Sequence, residues 1–332
     1  MGLFDQFIDF TKLIIFLQII FPFICIRMSQ NKPKATFIIH GNKRNLPKLQ
    51  NEILSVLSNV VDVEIKYTPK EGAKEVAKEA AQQEKDVIIV CGGDGSINEA
   101  INGYLESTAQ KDILFGVLPI GTGNDFVKTL KTANTVSELK KLISKNSFTA
   151  VDVFTMTFNN KQQQKASRFY VNIADIGIGG FVAEQLEDSS KVFGPNFTYI
   201  LAIAKSFISY KKQKIKFTSK EFNWEGPVMS LCMANGQFFG GGLGIAPNAS
   251  LTDGKLKLAI LGDVSIWDYI KNLNNVKKSL HVKHSEVFYK EAVACKIEAL
   301  ENECPIDMDG EFIGYTPVEV KLYERKVRFL SY

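Results

Sequence analysis

The chain has 332 residues, 45% of them hydrophobic and 23% charged, with a formal net charge of +4. That length suggests about two domains, the composition is ordinary for a folded globular protein, and the charge is too slight to point to nucleic acid by itself. Five cysteines with no C-x-x-C spacing argue against a structural zinc site and a secreted disulfide scaffold, so a reducing cytosol is expected. His281 and His284 lie three apart with no HExxH motif beside them.

The first feature is an apolar run of fourteen, LIIFLQIIFPFICI at residues 13–26, interrupted by Pro22. A membrane-spanning helix needs roughly 20 such residues, and no small-residue cleavage site follows. Three readings stay open for residues 1–28: a short embedded or interfacial anchor, a buried helix, or a stretch that is not translated because Met28 opens MSQNKPKATFIIHGN.

From Ala35 the chain alternates strand and helix. Residues 35–40 and 61–67 are β-rich, Leu46, Leu49, Ile53 and Leu57 have helical spacing, and 71–83 is an Ala/Lys/Glu helix. DVIIVC (86–91) is short and wholly apolar, as a parallel strand covered on both faces should be. Alternation of this kind predicts a parallel sheet. GGDGSINEAINGY (92–104) follows, with Ser96 and Glu99 at capping-box spacing, so a helix is expected from Ser96. A Gly-rich loop between a strand end and a helix N-terminus is where open α/β sheets bind ligands and where anions are favoured. The pattern repeats: ILFGVLP (113–119) is a second strand, IGTGNDF (120–126) a second Gly-rich turn, and Phe126 and Leu130 start a second helix.

Each turn also carries an acid, Asp94 or Asp125. A carboxylate beside a polyphosphate is repulsive unless a cation stands between them. Mg²⁺ suits the place, because it binds through a few carboxylates plus substrate phosphates. The glycines are therefore expected to hold a nucleotide and the acids its magnesium. P-loop and GxGxxG signatures are absent, as are the protein-kinase HRD and DFG motifs.

After about residue 150 short β-rich runs dominate, among them VDVFTMTF, FYVNIADI, KIKFTS, VMSLCMANG, KLKLAIL, ACKIEAL and VEVKLY, with helical segments near 198–209 and 265–280. This predicts a largely antiparallel β domain. Two acidic motifs, NASLTDGKL (248–256) and DMDGEF (307–312), each read alone as a hairpin turn, and DMDG does not fit an EF-hand. Residues 205–220 hold six lysines and no acid, with aromatics among them, and residues 271–285 hold four more lysines and no acid. Such clusters either dock on an anionic membrane or form a solvated face. No nucleic-acid partner is expected, since no binding module accompanies the charge.

These motifs together resemble the diacylglycerol kinase catalytic family, which includes sphingosine kinases and other bacterial lipid kinases. GGDGSINEAINGY is similar to its GGDGT signature, VLPIGTGNDF to its second nucleotide motif, and YVNIADIGIGGFVAE to its mid-chain segment. ANGQFFGGGLGIAPNASLTDGKLKL resembles its Gly-rich segment and DMDGEF its late DGE. The order fits from about residue 34 to the end. The resemblance implies α/β plus β in two domains: an N-terminal parallel-sheet nucleotide-binding domain of NAD kinase/diacylglycerol kinase type (29–150) and a C-terminal antiparallel β-sandwich domain (151–314). Residues 315–332 would return to the first domain.

It also implies roles. Thr68, Gly92, Gly93, Asp94, Gly95, Ser96, Asn98, Glu99, Thr122 and Asn124 would line the ATP site, and Asp94 and Asp125 would act through Mg²⁺. Glu311 would be the general base, and a second, structural Mg²⁺ would sit at Asp253 with the carbonyls of Ser250 and Lys255. Three departures from the family pattern are HGNKRN (40–45) in place of an NP-x-SG-like loop, Ser96 for the commoner threonine, and Lys128 for an arginine.

The implied activity is ATP- and Mg²⁺-dependent phosphorylation of a membrane lipid, diacylglycerol first, at the inner face of the membrane by a peripheral cytoplasmic protein. Phosphatidylglycerol, ceramide and sphingoid bases stay open as acceptors. So do an NAD kinase, a catalytically silent nucleotide or lipid sensor, and a homodimer.

Overall fold

The computed structural model describes residues 32–40, 46–68, 72–189 and 208–332. The apolar N-terminal run, residues 41–45 of the HGNKRN loop and nearly all of the 198–209 segment lie outside the described residues.

The first half builds as its alternation predicts. In chain order come β1 (Lys34–Ile39), α1 (Leu46–Leu57), β2 (Asp62–Tyr67), α2 (Lys74–Gln82), β3 (Val87–Gly92), α3 (Asp94–Leu105), β4 (Leu114–Pro119), α4 (Asp125–Leu130), α5 (Val136–Lys145) and β5 (Phe148–Val151). Their strands form one six-stranded sheet in the order β2-β1-β3-β4-β17-β5, where β17 is Val327–Leu330. β1 to β4 pair in parallel, β17 runs parallel to β4, and β5 is antiparallel to β17. Every residue of β3 is buried. Both faces of the sheet are therefore covered: Ile88 and Val90 pack with Ala77, Ile97 and Ile101 of α2 and α3, while Ile89 and Cys91 pack with Ile53, Leu57, Leu139 and Leu142 of α1 and α5.

The second half is an eleven-stranded, antiparallel sheet. It comprises β6 (Phe154–Asn159), β7 (Lys165–Tyr170), β8 (Ile173–Gly177), β9 (Gln213–Ser219), β10 (Asn223–Val228), β11 (Ser230–Ala234), β12 (Leu256–Leu261), β13 (Val287–Ala292), β14 (Ala294–Ala299), β15 (Pro305–Met308) and β16 (Glu311–Leu322). The long β16 pairs with β14, β15 and β6 at different points along its length, which folds the sheet over its own core of Phe154, Ile215, Leu231, Leu258 and Ile306. Among the described residues two helices accompany it, α6 (Ile178–Ser189) and α7 (Ile266–Lys277).

Local readings need four corrections. VDVFTMTF is not one strand, because β5 ends at Val151 in the first sheet and β6 begins at Phe154 in the second. FYVNIADI is likewise split between β7 and β8, and α6 follows where no helix was expected; its G-I-G-G opening masks the helical pattern. Of residues 315–332, those up to Leu322 remain in the second sheet and only Val327–Leu330 joins the first. An alternating strand cannot signal which of two sheets it enters. Lastly, the helix after β3 starts at Asp94 with Gly93 as N-cap and no side-chain cap.

Candidate active site

The two Gly-rich turns meet backbone to backbone. Gly92 O accepts from Ile120 N at 3.2 Å and Gly121 N at 3.3 Å. A Cβ placed on Gly121 would lie 2.5 Å from Gly93 Cα and 2.7 Å from Asn124 Oδ1, so only glycine permits this approach. The turns form one continuous cradle at the C-terminal ends of β3 and β4, with the N-termini of α3 and α4 opening into it.

Asp94 is fixed across the cradle. Its Oδ2 accepts from Asp125 N and its Oδ1 from Phe126 N, both at 2.9 Å, so it caps α4 rather than its own helix. Burial pushes its carboxyl pKa up, and the two backbone donors pull against that. Asp125 is buried too. Its Oδ1 holds Lys128 Nζ at 2.6 Å and its Oδ2 accepts from Gly241 N at 2.7 Å. Both Oδ2 atoms flank Gly123, at 3.3 and 3.7 Å from the position of a Cβ there. Two converging carboxylates with lone pairs to spare are the oxygen-rich half-site that Mg²⁺ takes beside phosphates, and the residues fit it. Asn124, left-handed at φ 51°, donates to Gly121 O and leaves Oδ1 buried with no donor. A buried acceptor without a partner is costly, and a ligand N–H or O–H at the cradle would satisfy it.

The other expected contacts divide. Ser96 lies in the first turn of α3 and Thr122 is exposed in the second turn. Thr68 directly follows β2, with its N–H on Ile39 O at 3.0 Å. Glu99 does not close a capping box. It accepts from Ala73 N at 2.5 Å, tying α3 to the entrance of α2, and burial raises its pKa. Asn98 is buried and fully engaged: its Nδ2 donates to Asp309 Oδ2 at 2.8 Å and Phe169 O at 3.1 Å, and its Oδ1 accepts from Arg168 Nε at 2.8 Å. Asn98 thus stitches the first half to the second. Asn102 does the same, exchanging bonds of 2.8 and 2.9 Å with the backbone of Phe169.

This stitching delivers Glu311. DMDGEF forms the β15–β16 turn, with Asp309 and Gly310 at φ 53° and 88°. Asp309 binds Ile173 N and Asn98, and burial pushes its pKa up to about 7. Glu311 emerges next to the first turn of α3: a Cβ on Gly95 would stand 2.8 Å from Glu311 Oε1. Arg168 Nη2 grips Glu311 Oε2 at 2.7 Å. Neither Arg168 nor Asn102 was expected from the sequence. Arg168 lies in KASRFYVN, immediately before a recognisable segment, with no pattern of its own.

At the expected second metal site Asp253 is paired with a lysine, as Asp125 is with Lys128. Asp253 Oδ2 already holds Lys257 Nζ at 3.0 Å, and its Oδ1 accepts from Lys255 N at 3.1 Å. Burial pulls the Lys257 ammonium pKa down, but its bonds to Glu291 and Asp253 outweigh that and the net direction is up. A second ammonium, Lys326, donates to Thr252 O at 3.3 Å and pairs with buried Asp152 at 2.8 Å. Among the described residues no group of three or more His, Cys, Asp or Glu could hold a metal ion.

The two Gly-rich turns of one sheet thus face a carboxylate carried in by the other. The diacylglycerol kinase catalytic domain matches residues 34–156, and the YegS C-terminal NAD kinase beta sandwich-like domain matches residues 172–331. The chain belongs to this lipid kinase family. It is 24% identical over 281 residues to a Yersinia pestis (strain Pestoides F) protein named "Probable lipid kinase YegS-like", covering 84% of this chain and 90% of that protein. Its fold is that of a diacylglycerol kinase from Bacillus anthracis str. Sterne, with a TM-score of 0.67 at 22% identity over 90% of this chain and 97% of the other. Yeast NADH kinase shares the architecture more distantly, with a TM-score of 0.51 at 11% identity over 91% and 84% of the two chains.

Proposed function

We propose that the chain transfers the γ-phosphoryl group of ATP to the primary hydroxyl of a membrane lipid, with diacylglycerol as the first acceptor and phosphatidic acid as its product. The observation that carries this reading is the place of Glu311, a carboxylate brought by the second sheet to the first turn of α3. Glu311 takes the proton of the lipid hydroxyl while that oxygen attacks phosphorus. The new O–P bond forms as the bond to the β-phosphate oxygen breaks, and ADP leaves. Phosphoryl transfer asks mainly for positioning and charge stabilisation, and Arg168 holds the base in place. Asp94 and Asp125 would hold Mg²⁺, whose charge offsets that of the phosphates.

An apolar cleft supports a lipid acceptor. Ile245, Leu261, Val264, Tyr269, Val276 and Val287 are among the residues lining a narrow apolar cleft between α7 and the sheet. Ile245 is four residues from Gly241, which binds Asp125, so the two places are no more than about 14 Å apart along the chain.

The test uses labelled ATP, Mg²⁺ and mixed micelles that each carry one lipid. Label in phosphatidic acid supports the reading, and label in another lipid changes the acceptor and keeps the mechanism. Glu311→Gln should bind ATP as wild type does and lose about 10²–10⁴-fold in transfer. Wild type that binds ATP and labels no lipid would sink the reading in favour of a sensor.

A further inference from the structure

The helix that roofs the apolar cleft is amphipathic in a way its own packing does not use. Tyr269, Asn272 and Val276 of α7 point inward and line the cleft. At about 100° per residue, Trp267, Ile270, Lys271, Asn274, Lys277 and Lys278 fall together on the opposite side, and all six are exposed. Trp267 is 72% exposed and Ile270 53%. Leu280, 52% exposed, and Lys283 extend the face past the helix end. The outward positions hold four lysines and no carboxylate. The neighbouring acids are committed elsewhere, Asp268 to Ser265 and His284 and Asp263 to Lys212.

We propose that this outer face of α7 docks on an anionic lipid bilayer. Trp at the headgroup level, short aliphatic anchors and a ring of lysines are the chemistry of a helix lying in the membrane interface. A lysine near an anionic surface contributes roughly fivefold in partition. Docked this way, the cleft behind the helix lies beside the leaflet from which its occupant must come. The inference deepens the lipid-kinase reading and rests on it for its purpose, but the contact with lipid is measured without catalysis.

The chain has two tryptophans, so a Trp224→Phe variant leaves Trp267 as sole reporter. With vesicles of phosphatidylcholine plus phosphatidylglycerol, and no ATP, Trp267 emission should shift to the blue and be quenched by brominated acyl chains. The effect should fade in high salt and be absent with phosphatidylcholine alone. Vesicle binding that leaves Trp267 in water overturns the proposal, because another part of the chain would then be the anchor. The double variant Trp267→Ser/Ile270→Ser should lose at least tenfold in phosphorylation of vesicle-borne lipid and keep wild-type turnover of a short-chain, monomeric diacylglycerol. Equal turnover on vesicles overturns the docking face alone. Quenching of Trp267 with no lipid phosphorylated in either form keeps the docking face and sinks the lipid-kinase reading.

Discussion

Gly95→Ala separates the stability of the site from its chemistry. Gly95 is the second residue of α3 and its φ is not positive, so alanine fits the backbone. In a helix that exchange favours folding by up to about 1 kcal/mol. The added Cβ would stand 2.8 Å from Glu311 Oε1, whereas ordinary contact begins at 3.4 Å, so the carboxylate must retreat by about 0.6 Å. Because Arg168 holds the other oxygen, the retreat turns the base and does not merely translate it. A displacement approaching 1 Å costs on the order of 10²-fold when the group takes part in the reaction. The expected result is a melting temperature equal to or above wild type, an unchanged ATP affinity by calorimetry, and a kcat lower by about 10²-fold. An unchanged kcat would refute Glu311 as the base. A collapse of ATP affinity would show that Gly95 is needed for nucleotide approach instead.

Arg168→Met removes two bonds that converge on Glu311 and Asn98; kcat should fall about 10–100-fold with ATP KM unchanged, and a rise in KM alone would mark Arg168 as a nucleotide contact. Asp175, buried against Ser230 and Cys232, has its pKa raised from 3.8 to about 6 by burial. The folded protein therefore keeps a proton that the unfolded chain releases, and this group's contribution falls by about 3 kcal/mol as pH rises from about 4 to 6. Denaturant midpoints for Asp175→Asn should vary less over that range than those of wild type; an identical pH profile refutes the assignment. Because Lys257 holds Asp253, the melting temperature without nucleotide should be the same in Mg²⁺ and in EDTA. An increase of more than about 3 °C in Mg²⁺ that Asp94→Ala keeps and Asp253→Asn abolishes would mean that the Asn248–Lys255 loop binds the ion.

Much of this was legible from local pattern. The buried run DVIIVC, the two Gly-rich turns and the 3.6-residue spacing at 46–57 each state their structure over a few residues, and the parallel sheet follows from their alternation. The acids were found as residues, while their partners were not. Asp94 caps the helix of the second turn, and Glu99 secures the entrance to α2. Both contacts join segments some 26–32 residues apart in sequence, where local spacing carries no information. The same limit hid Arg168, whose bonds reach Asn98 and Glu311. At the expected second metal site the motif names Asp253 and is silent about the ammonium of Lys257 beside it.

The strand Val327–Leu330 sets a condition on when the first half can exist. It lies between β4 and β5, and Phe329 is fully buried against Phe115 and Phe126. Phe126 follows directly on the turn that carries Asp125. During synthesis the sheet that carries the Gly-rich turns is therefore complete only with a strand made just over 200 residues after the second of them. A chain cut short anywhere in the second sheet leaves a gap in the first, next to the helix that Asp94 caps. The topology makes the sheet that carries both Gly-rich turns depend on a strand drawn from residues 327–330.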